Sequence, residues 1–393
     1  MERDYHIEVY CYQQSYDGER ICGDVFLSKR IAEEQRLIAI LSDGMGHGVK
    51  ANILATLTAS LLMGLTSEHR KIERVIEIIT KTLPVCSTRK TSYSTFSVAD
   101  LSYNGAVRLL EYDNPPCMLI SNGVVFEPHK NKIVVQGMQN RRMELKASEF
   151  NLQKEDRLLI CSDGIVQSGT GGRFSEGWGW SNLKTFVEEA VQKEPKISAA
   201  SLASKVVNRA VANDIYSAKD DCSCAVVYFR QPRRLMICTG PPFEESADSS
   251  FAKQLQAFDG QKVICGATTA DIVAREWQQS ITDSTEFHDH ELPPISQMPG
   301  VDLITEGMLT LNKTTRLLQK HDSSTEFGKG PADRLASLLL LSDQIYFLVG
   351  TRINEAHQDP TLPIELDIRR NVVKRLARLL ESKFLKEISI EYR

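Results

Sequence analysis

The sequence has no cysteine pair in CxxC spacing, no strong excess of either charge and no apolar run long enough to cross a bilayer. Each absence removes a class of function. Its nine cysteines, at 11, 22, 86, 117, 161, 222, 224, 238 and 265, are odd in number and show no zinc-like spacing with histidines. That excludes a disulfide scaffold or zinc finger and fits a reduced, cytoplasmic compartment. With 47 basic against 51 acidic residues the net charge is −4, so no global field attracts nucleic acid. The longest apolar stretch, residues 53–65, is broken by threonines and a serine and reads as a buried helix, so no membrane is expected as partner either. The start, MERDYHIEVYCYQQ, alternates polar and apolar residues as a strand does, without the basic-then-apolar order of a signal peptide.

Hydrophobic residues make up 42% and charged residues 25% of the chain, the balance of a protein that folds throughout. At 393 residues it exceeds the usual size of a single core, which predicts two domains. The boundary is expected near Gln231-Pro232-Arg233-Arg234, where a proline ends ladder pairing, giving domains 1–232 and 233–393. The first reads as α+β, with strands at 5–12, 22–29, 35–42, 92–101, 106–113, 117–120, 131–137, 156–162 and 222–230 and helices at 48–65, 69–83, 180–193 and 197–213. Runs of strands with grouped helices predict helices packed on antiparallel sheets. In the second, buried strands at 234–239, 261–265 and 345–349 predict a smaller α/β domain, with loops at 283–299 and 321–332. No repeat of 20–50 residues is present.

Four acidic sites recur at strand ends. The apolar run Arg36-Leu37-Ile38-Ala39-Ile40-Leu41 leads directly into Ser42-Asp43-Gly44, and Asp156-Arg157-Leu158-Leu159-Ile160-Cys161 leads into Ser162-Asp163-Gly164. Asp220-Asp221 stands before the strand that begins at Cys222, and Gly23-Asp24 before Val25-Phe26. Carboxylates held at strand ends can converge, and they repel one another unless a cation neutralises them, so divalent metal is expected. Asp43 and the Gly44 carbonyl form a plausible paired contact for a hard cation.

The segment SDGMGHGVKANILATLTASLL resembles the signature of the stage II sporulation protein E (SpoIIE) phosphatases, a bacterial branch of the metal-dependent (PPM, or 2C-type) protein phosphatases. CGDVF, STFSVADL, EDRLLICSDGIVQSG and DDCSCAVVYF resemble further family elements in the family order, over about residues 20–230. The resemblance implies a PPM-type β-sandwich of two antiparallel sheets flanked by helices, with two Mn²⁺ or Mg²⁺ ions at one end. Asp43 would bridge both ions, Gly44 would contact one, and Asp163 and Asp220 would hold the other. Asp24 would lie nearby, directly or through water. The implied reaction is hydrolysis of phosphoserine or phosphothreonine by an activated water, with a phosphorylated regulator such as an anti-sigma-factor antagonist as protein substrate.

Three positions depart from the family pattern. Glu111-Tyr112-Asp113-Asn114-Pro115-Pro116 stands where the family often has Asn-Ala-Gly-His-Pro-Pro, Gln167 stands near a common glutamate, and Glu155 replaces the glycine before Asp156. Several alternatives remain open at this point. Asp221 competes with Asp220 as ligand. His47 is read as a loop histidine ahead of a phosphate contact, because no second histidine lies at ligand spacing. The stripe Ile53, Leu54, Leu57, Leu61 and Leu65 predicts a core-facing helix. Neither a dinucleotide loop nor a phosphate loop fits Gly44-Met45-Gly46-His47-Gly48, for the third glycine and the Lys-Ser/Thr pair are missing.

In the second domain, Val263-Ile264-Cys265-Gly266-Ala267-Thr268-Thr269-Ala270 predicts a strand, a turn and a helix whose N-terminus suits an anion, although a Thr-capped helix explains it as well. Gly300 to Gly307 has a similar build, with Asp302 and Glu306 as polar points at a cleft. Ligand sensing, substrate contact and dimerisation, a homodimer included, are the roles open to this domain. The alternatives to an enzyme are a non-catalytic signalling module with a phosphatase fold and a nucleotide or phosphate sensor acting through the second domain.

Overall fold

The computed structural model describes residues 5–70, 74, 78, 94–136, 142–321, 327–352, 364–384 and 386–393. The expected helix at 69–83 falls almost wholly outside them, as does Cys86. The chain divides into two compact units, Met1–Gln231 and Pro232–Arg393.

The first unit contains two antiparallel sheets. One runs in the order β1 (His6–Gln14), β11 (Cys222–Arg230), β10 (Arg157–Cys161), β6 (Met118–Ser121) and β7 (Val124–Phe126). The other runs β2 (Val25–Ile31), β3 (Arg36–Gly44), β4 (Ser94–Ser102), β5 (Ala106–Tyr112), β9 (Arg142–Asn151) and β8 (Asn131–Gln136). Their facing sides bury Ile7, Leu37, Ala39, Leu41, Leu101, Leu109, Leu158, Ile160 and Val227 in one core. The outer face of the first sheet packs through Met118, Leu159, Cys224 and Val226 against Leu183, Val187, Val206 and Val207. Those four residues belong to the helices Gly179–Lys193 and Ala199–Asn213, here α3 and α4. On the second sheet Ile38, Ile40, Phe96 and Val98 pack against Ala59 and Leu62 of α1 (Gly48–Ser67). Because β3 and β10 are covered on both faces, their sequences read as continuous apolar runs rather than alternations.

α1 corrects two expectations. It spans 20 residues rather than 18, and by length and composition alone it is long and apolar enough to cross a bilayer, a test that a core helix of a folded domain also passes. Its buried face is Ala51, Ala55, Thr58, Ala59 and Leu62, whereas Ile53 and Leu57 of the expected stripe are 53% and 50% exposed. Small residues won that face because the helix lies close to β3. A Cβ on Gly44 would fall 2.1 Å from the Ala51 carbonyl oxygen, which leaves no room for leucine there.

The second unit is a doubly wound α/β sheet. Its order is β14 (Thr282–Asp283), β15 (Ser296–Met298), β16 (Val301–Thr305), β13 (Gln261–Cys265), β12 (Arg234–Thr239), β17 (Gln344–Val349) and β18 (Glu387–Tyr392). Neighbours from β16 to β18 are parallel, and the β14–β15 pair is an antiparallel edge that falls, but for Thr282, in the stretch 283–299 expected to be loop. On one face, Phe251 and Leu255 of α5 (Asp248–Ala257) and Ala270 and Val273 of α6 (Ala267–Trp277) cover Met236, Cys238 and Ile264. On the other, α7 (Met308–Lys320), α8 (Pro331–Leu341) and α9 (Ile364–Phe384) cover Leu235, Ile237, Val263 and Phe347.

Candidate active site

Both Ser-Asp-Gly segments end apolar strands, one in each sheet of the first unit. Asp43 closes β3 opposite Thr95 of β4. Asp163 follows β10 and opens the short helix α2 (Asp163–Gln167). Their carboxyl groups interact, so the strand ends of the two sheets meet at these aspartates.

Burial, followed by the charges of Asp24 and Asp163, holds the Asp43 carboxyl well above the usual carboxylate range. Burial also raises Asp24. Hydrogen bonds from Ser223 and Ser162 oppose that shift, while Asp221 and Asp220 add to it. Asp220 is pushed up to about 6 by burial and by Asp163. The sequence-predicted aspartates are therefore all brought together, in an ordered way. Asp43 interacts with Asp24, Asp163 and Asp220, Asp24 with Asp220 and Asp221, and Asp220 with Asp163 and Asp221.

Asp220 and Asp221 play different parts. Asp221 Oδ1 accepts the Tyr16 backbone N–H at 3.0 Å, and Asp220 Oδ1 accepts the Asp221 N–H at 2.9 Å. The carboxylate oxygens Asp24 Oδ2 and Asp221 Oδ2 are buried with no hydrogen-bond partner. A buried, unpaired carboxylate oxygen is costly unless a cation answers it. Among the described residues, no group of three His, Cys, Asp or Glu side chains forms a cage that could hold an ion. The donor set still fits Mg²⁺, which takes one or two carboxylates and keeps its waters rather than entering an all-protein cage. Mn²⁺ likewise accepts carboxylate, carbonyl and water oxygens.

The glycines beside these aspartates have a packing reason that motif reading did not supply. A Cβ on Gly23 would meet Asp221 Oδ2 at 2.6 Å, and one on Gly164 would meet the Asp221 carbonyl oxygen at 2.3 Å. They let the acidic segments stack on one another, as Gly44 lets α1 approach β3.

Several supporting residues escaped the sequence reading. Gln13 Nε2 donates to the Asp24 carbonyl at 3.2 Å and to Ser223 Oγ at 2.9 Å. Ser162 Oγ accepts the Ser223 N–H at 2.9 Å, which ties the strand ends of β10 and β11 together. Asn114, in the loop that departs from the family pattern, donates to Ser97 Oγ at 3.2 Å and is hydrogen-bonded to Thr95, the partner of Asp43. His47 sits at the rim, hydrogen-bonded to Glu19 at 2.9 Å and stacked on Tyr16 with ring centroids 4.3 Å apart. In this structure it fastens the loop after β1 to the start of α1.

Residues 33–230, half of the chain, match the family model for stage II sporulation protein E (SpoIIE). Phosphoserine phosphatase RsbX of Bacillus subtilis (strain 168) is 35% identical over 77 residues, 20% of this chain and 37% of its own length. The chain thus spans little more than a third of that curated relative. Two solved structures of the SpoIIE phosphatase domain from Bacillus subtilis are also similar. One, a crystal form without domain swapping, is 16% identical, covers 59% of this chain and 95% of its own, and has a TM-score of 0.43. The other, with a fragment of the regulatory domain, is 18% identical, covers 58% and 64%, and has a TM-score of 0.48. With residues 33–230, half of its length, matched by the family model, the chain belongs to the SpoIIE family.

Proposed function

We propose that this chain is a cytoplasmic, metal-dependent protein phosphatase that hydrolyses phosphoserine or phosphothreonine on a regulatory protein. The carrying observation is the cluster of five aspartates, two with buried oxygens that lack any partner. Asp43, the Gly44 carbonyl, Asp163 and Asp220 would hold two divalent ions, Mn²⁺ or Mg²⁺, with Asp24 and Asp221 completing the charge. Bound there, such ions supply a water of lowered pKa and neutralise the charge of a phosphoryl group.

The chain's own residues do the positioning. Gln13 holds the Asp24 backbone carbonyl, the Tyr16 N–H fixes Asp221, and Gln167 fixes Asp163. The raised affinity of Asp43, Asp24 and Asp220 for protons means that the metal-free cluster holds protons that a cation would displace. A phosphorylated protein is the substrate class that the family position supports, and the relative RsbX is named as a phosphoserine phosphatase.

The test is phosphate release from a phosphoserine peptide with added Mn²⁺, in wild type, Asp43→Asn and Asp163→Asn. Both substitutions are expected to abolish release. Activity unchanged in both would refute the assignment of the site.

A further inference from the structure

The second unit carries a cavity that the phosphatase reading leaves unused. It lies at the carboxyl edge of the parallel strands and is lined by the ends of β12, β13 and β16 with the loops that follow them. In an order where the third, second and first parallel strands are followed by the fourth and fifth, the direction in which successive strands are added to the sheet reverses between β12 and β17. Open α/β sheets bind ligands outside the carboxyl ends of their strands beside such a reversal. The cavity has a volume of about 550 Å³, within the range of small-molecule sites.

Its chemistry is specific. α6 opens into the cavity from Gly266, whose φ of +137° suits glycine and whose lack of a side chain leaves the helix start without a side-chain cap. The first turn of a helix so exposed favours an anion. Independently, Thr269 on that turn lines the cavity while 1% exposed, and its Oγ1 has no hydrogen-bond partner. A Cβ on Gly266 would come within 3.2 Å of that oxygen, so the glycine keeps open the space in front of it. Arg369 supplies a cation to the same cavity and donates to the Gly350 carbonyl at 3.1 Å, which fixes its guanidinium across the reversal.

The neighbouring helix start is different. At α7, Glu306 Oε2 already accepts the Leu309 N–H at 3.1 Å, so its carboxylate occupies that N-terminus and repels a second anion. Its remaining oxygen suits hydroxyl groups. Pro241, Met308 and Leu309 provide apolar lining. Asp302, expected beside Glu306 at the cleft, instead accepts the Lys262 N–H at 2.7 Å at the other end of the strands and takes no part.

We propose that this cavity binds a nucleotide-type sugar phosphate. The phosphate lies at the start of α6 against Thr269 and Arg369, the sugar hydroxyls face Glu306, and the apolar wall receives the base. The site stands independently of the phosphatase reading.

The experiment uses the full chain in EDTA, so that divalent ions are withheld from the aspartate cluster of the first unit. Melting temperature and calorimetric affinity are measured with AMP, GMP, CMP, UMP, ribose 5-phosphate and inorganic phosphate. At least one nucleotide is expected to raise the melting temperature and to bind at least roughly tenfold more tightly than inorganic phosphate. Thr269→Val should weaken that nucleotide by roughly tenfold, the loss of one hydrogen bond to a charged group. The same variant should melt at the same or a higher temperature without ligand, because it removes a buried hydroxyl that has no partner. Arg369→Gln should weaken binding as well, and Asp43→Asn should bind like wild type. The proposal is overturned if no probe shifts melting, if Thr269→Val binds like wild type, if Asp43→Asn loses binding, or if inorganic phosphate binds as tightly as every nucleotide.

Discussion

Gln167 donates its side-chain amide to Asp163 Oδ2 at 2.7 Å, one helical turn along α2. This glutamine stands near a position where the family commonly has glutamate, and it meets Asp163 as a neutral donor rather than as another negative charge. A donor that orients a ligating carboxylate typically accounts for about 10- to 100-fold in metal affinity or activity. Gln167→Leu should therefore raise the Mn²⁺ concentration needed for half-maximal phosphate release by about that factor. Since the side chain is exposed, urea unfolding should change by no more than about 0.5 kcal/mol. A variant with an unaltered metal requirement would reduce the contact to a surface detail.

The raised carboxyls give the metal-free protein a pH dependence of definite sign. Asp24, Asp43 and Asp220 all hold protons more tightly when folded than their ordinary value of 3.8. The folded state then binds more protons than the unfolded one, and stability falls as pH rises. For Asp220 that loss runs from about pH 4 to its folded value of about 6. In EDTA the melting temperature should decline across this window and continue to decline above it through Asp24 and Asp43. Saturating Mn²⁺ should reverse the slope by binding the deprotonated form. Asp43→Asn should flatten the EDTA profile, and a profile as steep as wild type would locate the effect elsewhere.

Two glycines near each other in sequence should respond in opposite ways. Gly44→Ala places a methyl 2.1 Å from the Ala51 carbonyl oxygen, so helix and strand must separate, at a cost of about 1–3 kcal/mol. Gly64 lies inside α1 with nothing within 4 Å of an added Cβ. Gly64→Ala should stabilise by about 0.5–1 kcal/mol through helix propensity. Urea midpoints of the two variants, measured at equal slope, decide the matter. Equal shifts in one direction would contradict the packing of α1 on β3.

Ile215 and Tyr216 follow α4 with φ of +57° and +61°, and both are about 80% exposed. A β-branched residue in this region carries strain of about 1–2 kcal/mol. The conformation is imposed by neighbours: Asp214 accepts the Gly169 N–H at 2.7 Å, and the Asp17 N–H donates to the Ala218 carbonyl at 2.9 Å. Ile215→Gly should recover about 1 kcal/mol in urea unfolding. No gain would mean that the unfolded chain's greater freedom cancels the relief.

The strand ends bearing Asp43 and Asp163 were legible because two independent signals coincide there, a continuous apolar run and an abrupt Ser-Asp-Gly turn. What the sequence concealed has identifiable causes. β9 was missed because its apolar positions Leu145 and Ala147 alternate with Glu144 and Lys146, so charge masks a period-two pattern. α1 was placed correctly but rotated wrongly. Hydrophobicity ranks Ile53 and Leu57 above Ala51 and Ala55, while proximity to Gly44 admits only the small pair. The division of labour between Asp220 and Asp221 depends on the Tyr16 N–H, which lies more than two hundred residues away in sequence and follows no local pattern. Asp302 and Glu306 look alike in sequence, yet they sit at opposite ends of parallel strands because a strand of a few residues carries them apart.

The pairing of β1 with β11 joins the beginning of the first unit to its end, and every aspartate of the cluster lies between those two strands in sequence. β10, which delivers Asp163, takes β11 as a neighbour in its sheet. A ribosome that has released everything up to Lys219 has therefore made three of the five acidic residues but not the strand that sets them in place. The nascent protein carries its acids apart and inert, and competence would arrive abruptly, when the last strand of the sandwich is threaded between two already formed.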